Sequence, residues 1–301
     1  MKKILLIGSE GYIGSSIKSK NDCDCVDLSL GLDYHSLTIN ELEKYNIIIL
    51  LAGHSSVASC AGNRFSALKN NVDNFSSLLE KLEKTQKRIR LIYASSSSVY
   101  GKTGNGIVTE DFSDFVPHNT YDITKHFIDI IANDSDVEYY GLRFGTVCGY
   151  SPVLRTDVMI NSMVNSAKEN NFIKLYSKEV NRPILGINDL NRCIKSIIED
   201  NEDKRGIYNL ASFNSTAGQI ANTVSAICNV PIIESETPTM ITNAKEQTAT
   251  YDFSISSKKF SDSYKFEFVD TIESITKSLL SNWESMNKVN RFTKLVYETK
   301  K

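Results

Sequence analysis

A buried strand that runs straight into evenly spaced glycines limits what this chain can become more than any other feature. Residues Lys3 to Gly14 read KILLIGSEGYIG, an apolar run at 4–7 followed by Gly8, Gly11 and Gly14. An uninterrupted apolar run closed by glycine is the pattern of a strand buried on both faces of a parallel sheet. Gly8 permits the tight turn out of that strand. Gly11 lets a pyrophosphate approach the backbone, and Gly14 lets the next helix pack closely on the sheet. A helix that starts near Tyr12 and Ile13 then aims its free N–H groups and positive dipole end at phosphates.

Spaced glycines alone are a weak signal, so context decides. Asp27 ends a second apolar segment (Cys25, Val26) and lies 27 − 8 = 19 residues past Gly8. The dinucleotide-binding fingerprint places its ribose-binding carboxylate about 20 residues on. A carboxylate there accepts from both ribose hydroxyls and repels a 2′-phosphate, which favours NAD over NADP. Read as an ordinary turn residue at a strand end, Asp27 carries no such meaning.

Composition sets outer bounds. The 301 residues are 41% hydrophobic with a net charge of −2, which suits one large α/β domain or one carrying a smaller lobe. Near-zero net charge gives no argument for nucleic acid or a membrane surface as partner. The six cysteines (23, 25, 60, 148, 193, 228) are scattered without metal-ligand spacing, so free thiols in a cytoplasmic protein and no metal site are expected. No apolar run reaches the roughly 18 residues of a membrane span. The first residues lead straight into a core strand, and no targeting segment is expected before it.

Along the chain, strands are expected near 3–7, 23–27, 45–51, 89–94 and 137–144, with helices near 12–19, 64–86 and 121–133 and a short helical stretch near 37–44. Residues 101–119 read as a loop. Past Gly149 the pattern loosens: 158–167, 189–199 and 217–228 look helical, 173–176 and 207–211 strand-like, and 270–288 reads as one long helix. Strands alternating with helices over the first half argue for a Rossmann-type doubly wound parallel sheet. We expect residues 1–150 to hold the cofactor and the chemistry. Residues 151–301 then form a smaller substrate lobe that caps the crevice, with some segments returning to the sheet.

Two segments carry the chemistry. Serines 95–98 follow a buried strand, which puts hydroxyls at the mouth of the crevice. Tyr121 and Lys125 are four apart and share one helix face, about 5–6 Å between Cβ atoms. A free phenol titrates near pH 10 and is a poor base at neutrality. A lysine cation about 5 Å away, at an effective dielectric near 20, favours phenolate by roughly 3 kcal/mol, or about two pKa units. Tyr121 is thereby expected to act as general base toward a secondary alcohol, with Ser96 holding that alcohol in line. Alone, a Tyr-x-x-x-Lys pair is more often a surface pair on an amphipathic helix; the glycine turn, Asp27 and the serines together favour the catalytic reading.

These residues resemble the extended short-chain dehydrogenase/reductase family, specifically its nucleotide-sugar epimerases and dehydratases. The resemblance is strongest over 1–190 and thin beyond 215. It implies that Asp33 with Tyr34 lies at the adenine, that Leu51, Ala52 and Gly53 end a strand beside the cofactor, and that Asn71 belongs to the cofactor site. Ser96, Tyr121 and Lys125 fall on the family's catalytic residues. Leu142-Arg143-Phe144 with Thr146, Val147 and Gly149 resembles one later segment, and Arg182-Pro183 with Asp189-Leu190 another. The substrate set implied is His54, Ser97, Thr146, Arg155, Asn161 and Arg182. Arg155 and Arg182 are the diphosphate candidates because a forked guanidinium suits that group. His54 reads either as a second acid/base or sugar ligand, or as packing near the cofactor. The 4,6-dehydratases place Asp-Glu directly after the catalytic Ser/Thr; Ser97 and Ser98 stand there, which disfavours dehydration. The family usually dimerises through helices equivalent to 64–86 and 121–133, so a homodimer is expected.

The reading expected is an NAD-dependent enzyme acting on a nucleotide-diphosphate sugar, most simply at C4, as a 4-epimerase or 4-dehydrogenase. A second reading keeps the fold and reverses the flow, as an NAD(P)H-dependent 4-keto-sugar reductase, which Asp27 argues against where NADPH is preferred. A third, of another class, is a non-catalytic dinucleotide-binding regulator. Such proteins commonly lose the tyrosine or the lysine, and both are present here.

Overall fold

The computed structural model describes residues 2–101, 103, 106–234 and 251–289. The first half alternates strand and helix: β1 (Ile4–Ile7), α1 (Tyr12–Lys18), β2 (Asp24–Val26), α2 (Ile39–Leu42), β3 (Ile47–Leu50), α3 (Val57–Gly62), α4 (Arg64–Leu68), α5 (Asn74–Glu83), β4 (Arg90–Ser96), β5 (Ile107–Val108), α6 (Thr120–Asp134) and β6 (Glu138–Phe144). The second half is built of shorter pieces: β7 (Thr146–Cys148), β8 (Val153–Arg155), α7 (Met159–Asn170), β9 (Ile173–Leu175), β10 (Asn181–Gly186), α8 (Ile187–Glu199), β11 (Gly206–Leu210), β12 (Phe213–Thr216), α9 (Ala217–Cys228), β13 (Ile232–Glu234), β14 (Ser254–Ile255), α10 (Lys258–Tyr264), α11 (Ile272–Ser281) and β15 (Asn287–Val289).

The central sheet has six strands in the order β11-β6-β4-β3-β1-β2, all paired in parallel. The chain leaves β1 for β2 on one side, then crosses to β3 on the other. The carboxyl ends of β1 and β3 therefore flank the switch point where such sheets take ligands. The continuous apolar runs are explained by burial on two faces. Ile4, Leu6, Ile47 and Ile49 enter one core, Leu5, Ile7, Ile48 and Leu50 the other. The doubly wound sheet expected from the sequence is the fold observed. β11, from the second half, supplies one edge of it.

The elements differ from the sequence reading in places. The single helix expected at 64–86 is two helices joined by a π-helical turn at Lys69–Asp73, and α3 precedes them. Apolar periodicity cannot register one extra residue in a turn. The loop expected at 101–119 contains β5, which pairs with the distant β14. The long helix expected at 270–288 ends at Ser281; Trp283 then turns into the core and β15 pairs with β8. Short strands that pair across distant sequence leave no local periodicity to read.

Candidate active site

The turn after β1 is fixed by contact between backbones. Gly8 has φ +90° and donates its N–H to Val26 O at 2.8 Å. A Cβ on Gly14 would lie 2.0 Å from Gly8 O, so α1 can pack where it does only without a side chain there. Gly11 is the N-cap residue of α1, and Tyr12 is anchored by its hydroxyl donating to Gly149 O at 2.9 Å. Asp27, at the end of β2, accepts from Glu10 N–H in this turn at 3.0 Å and from Ser29 N–H at 3.0 Å. Burial works to raise its pKa, but the hydrogen bonds from Ser29 and Glu10 leave the carboxyl below its ordinary value. A carboxylate beside the N-terminus of α1 fits a dinucleotide with its ribose hydroxyls free.

Helix α6 carries the tyrosine and lysine, and buried polar bonds lock its position. Asp129 on α6 accepts from Arg143 Nε on β6 at 2.8 Å, and from Tyr93 and Ser95 hydroxyls on β4 at 3.0 Å each. The Arg143–Asp129 pair is almost fully buried, so losing either partner would strand a charge in the core. Asn71, in the π-helical turn, donates to Thr124 Oγ1 of α6 at 3.1 Å and to His54 O at 3.0 Å, and accepts from His54 N–H at 2.8 Å. Its carboxamide is spent bracing the loop after β3 against α6.

A cleft of about 260 Å³ opens at the switch point. It is lined by the glycine turn (Gly8, Gly11, Tyr12, Ile13, Gly14), by Leu51 and Gly53 after β3, and by Ser96, Ser97, Tyr121 and Lys125. Thr146, Arg155 and Arg182, from the second half of the chain, also line it. Ser96 Oγ lies 2.9 Å from Ser98 Oγ. Lys125 Nζ lies 5.9 Å from the Tyr121 ring centroid and donates to Ala94 O at 2.6 Å.

The electrostatics correct the sequence reading. Burial pushes Tyr121 up to about 12; Ser96's hydrogen bond and the charge of Arg155 work against that rise, while Cys60 and Asp122 add to it. Lys125 has no resolved share in that balance. Burial pushes the lysine itself down to about 8, against the pull of Asp129. The protein's own groups therefore hold Tyr121 as a neutral phenol, because desolvation outweighs the attraction of cations at these distances.

The two arginines differ. Arg155 is paired with Asp157, Nε at 3.1 Å and Nη2 at 2.5 Å. Arg182 makes no ion pair among the described residues; its guanidinium lies 5.7 Å from the Tyr251 ring centroid, and burial lowers its pKa.

Other expected site residues are not brought to this cleft. His54 points its ring at Ser66 Oγ, 3.3 Å away. Asn161 is fully buried, donating to Tyr12 Oη and Arg155 O and accepting from Gly149 N–H, so both of its N–H donors are taken by the protein. Asp33 is exposed and caps the turn at His35 N–H. Tyr34, Ala52 and Asn71 line a smaller cavity behind, which Lys125 also touches.

Sequence reasoning missed Tyr251 and Asp122. Tyr251 lines the cleft from a segment with no periodicity, and only the fold brings it there. Asp122 was visible as the neighbour of Tyr121, but nothing in the sequence shows that its carboxylate is buried. Among the described residues no cluster of His, Cys, Asp and Glu could hold a metal ion, and no helix is long and apolar enough to cross a membrane.

Known proteins share this architecture. Residues 30–211 match the model of the NAD dependent epimerase/dehydratase family. The chain is 24% identical over 180 residues to UDP-glucose 4-epimerase of Mycoplasma genitalium, covering 49% of this chain and 53% of that protein. It is 26% identical over 235 residues to Protein CapI of Staphylococcus aureus, covering 65% of this chain and 69% of that one. The chain thus spans about half the length of the first relative and about two thirds of the second. The solved structure of MoeE5 in complex with UDP-glucuronic acid and NAD superposes with a TM-score of 0.77 at 19% identity, covering 92% of this chain and 97% of that one.

Proposed function

The chain belongs to the NAD dependent epimerase/dehydratase family, and from that premise we propose that it oxidises a secondary hydroxyl of a nucleotide-diphosphate sugar at C4, as a 4-epimerase or a 4-dehydrogenase. The observation that carries this reading is convergence: the glycine turn, Ser96, Tyr121, Lys125 and Arg182, which makes no ion pair among the described residues, share one cleft.

NAD, when bound, supplies the hydride acceptor and a positively charged ring. Gly8, Gly11, Tyr12, Ile13 and Gly14 would hold its diphosphate, Asp27 its ribose, and Leu51 and Gly53 would flank it. Asp27 sits where a 2′-phosphate would meet like charge, which favours NAD over NADP. Ser96 orients the sugar hydroxyl, and Tyr121 Oη receives its proton as the carbon beneath gives up hydride. Lys125 holds the nicotinamide ribose. Arg182 takes the substrate diphosphate with its forked guanidinium, Arg155 and Thr146 lie in the same lining, and Ser97 stands beside Ser96. Residues 1–150 are then the cofactor and chemistry half, and 151–301 mainly the substrate half.

The test uses the full chain with NAD and UDP-glucuronic acid or UDP-glucose, the sugars bound in related structures. Tyr121→Phe should lower turnover roughly 10³-fold and leave NAD affinity unchanged. Near-normal turnover in that variant would refute the assignment.

We also infer a homodimer. Phe65 on α4 is 85% exposed, and Phe127 and Ile130 on α6 are 49% and 51% exposed. Apolar side chains left in water on neighbouring helices suit burial against a second copy. Sedimentation should give a dimer that Phe65→Glu with Ile130→Glu dissociates; a monomeric native chain rules it out. The described cysteines are all free thiols, which suits the cytoplasm; recovery from another compartment on fractionation would count against that placement.

A further inference from the structure

Tyr251 touches both the arginine expected at the diphosphate and the helix that carries the reacting phenol. Its ring lines the cleft, with the Arg182 guanidinium 5.7 Å from the ring centroid. Its hydroxyl donates to the Asp122 carboxylate, 2.9 Å from each oxygen, and accepts from Asn119 Nδ2 at 2.5 Å. Asn119 is the N-cap residue of α6, and Asp122 lies in the first turn, directly after Tyr121. Asp122 is 0% exposed. A hydroxyl bond to a carboxylate is short, strong and directional, and a buried acceptor has no water to replace a lost donor.

The same segment is fastened at its other side to β10. Asp252 accepts from Asn181 N–H at 2.8 Å and from Asn181 Nδ2 at 3.1 Å, and Phe253 N–H donates to Asn181 O at 3.4 Å. Asn181 opens β10 and is followed by Arg182. Phe253 and Ile255 are buried, and β14 pairs with β5, so the backbone from which Tyr251 reaches is itself held. Residues 251–253 therefore form a strut. One end is fixed one residue from Arg182, the other one residue from Tyr121.

That span matters to a sugar nucleotide. A molecule gripped by its diphosphate at Arg182 presents to Tyr121 whichever ring hydroxyl lies at the right distance. Misplacing reacting groups by about 1 Å can cost about 10²-fold in rate. We propose that Tyr251 is a positioning residue that sets the distance from Arg182 to Tyr121 and so holds one sugar hydroxyl against the phenol. It takes no proton and acts through Asp122 on α6 and through its ring on Arg182. The assignment rests on the reading of Arg182 as the diphosphate site and Tyr121 as the group that meets the sugar.

With the full chain, NAD and whichever of UDP-glucose and UDP-glucuronic acid it turns over, Tyr251→Phe keeps the ring beside Arg182 and loses the bond to Asp122. It should lower kcat about 30-fold with KM changed by about threefold or less. Tyr251→Leu, which also takes the ring from Arg182, should lower kcat as far and raise KM as well. Coupling to Arg182 separates positioning from mere support. In an Arg182→Met background the diphosphate is no longer gripped and the strut has nothing to align, so there Tyr251→Phe should lower kcat/KM about threefold or less. A residue that only supports the fold would cost the same factor in both backgrounds, and that result overturns the proposal. Asp252→Ala loosens the exposed β10 end and leaves the cap of α6 intact. It should repeat the pattern with a smaller loss, about fivefold in kcat, and it decides the matter if Tyr251→Phe does not fold. NAD binding by calorimetry reports folding in each variant. Native-like kcat in Tyr251→Phe and Asp252→Ala, with Tyr121→Phe inactive, overturns the strut alone. A native chain that turns over neither sugar overturns the reading of the site and the strut with it.

Discussion

One wall of the cleft, from the turns after β1 and β3, is backbone brought into contact with backbone. A second wall, from β8, β10 and Tyr251, is made of long side chains that arrive from distant parts of the chain. On the first wall Gly8 and Gly14 leave no room for a Cβ. On the second, Arg182 has an aromatic neighbour and no ion-pair partner among the described residues. The first wall therefore tolerates almost no change in shape, whereas the second is defined by charge that a ligand can complete. A fixed cofactor common to a family suits the former, a particular sugar nucleotide the latter.

The largest effect expected is on the backbone wall. Gly14→Ala puts a methyl 2.0 Å from Gly8 O and forces the turn and α1 apart. It should cost about 3 kcal/mol or more in a denaturant titration and abolish NAD binding by calorimetry. Wild-type NAD affinity in that variant would break the distinction between the walls. On the side-chain wall, Arg182→Met should raise KM for the UDP-sugar about 30-fold, near 2 kcal/mol, with NAD affinity and folding unchanged. An equal loss of NAD binding would show that the two walls are not separable.

The smallest effect concerns Lys125, where the walls meet. Its pKa is about 8 in the folded chain against an ordinary 10.5, so between those values the unfolded chain binds more protons. Stability should therefore rise with pH across that window, and the cost of holding the ammonium buried is fully present below it. Urea midpoints at about pH 8 and pH 10 should differ in the native chain and less in Lys125→Met. Equal differences would mean that the lysine is better solvated than its burial implies.

How far the sequence could be read follows the same division. The glycine turn, Asp27 and the Tyr121–Lys125 pair are local patterns, and each stands at the cleft or beside it. Arg182 was reachable through a resemblance. His54 and Asn161 were expected at the substrate from the resemblance, and the fold turned both side chains onto protein partners. The π-helical turn at Lys69–Asp73, which apolar periodicity does not show, carries the Asn71 carboxamide to Thr124 of α6.

The sequence alone determined the parallel sheet, since apolar runs closed by glycine can be satisfied only by burial on both faces, and it determined which helix carries the tyrosine and lysine. The tertiary structure decided how those groups are charged. Burial, which no spacing in a sequence reveals, raises the Tyr121 phenol and depresses the Lys125 ammonium.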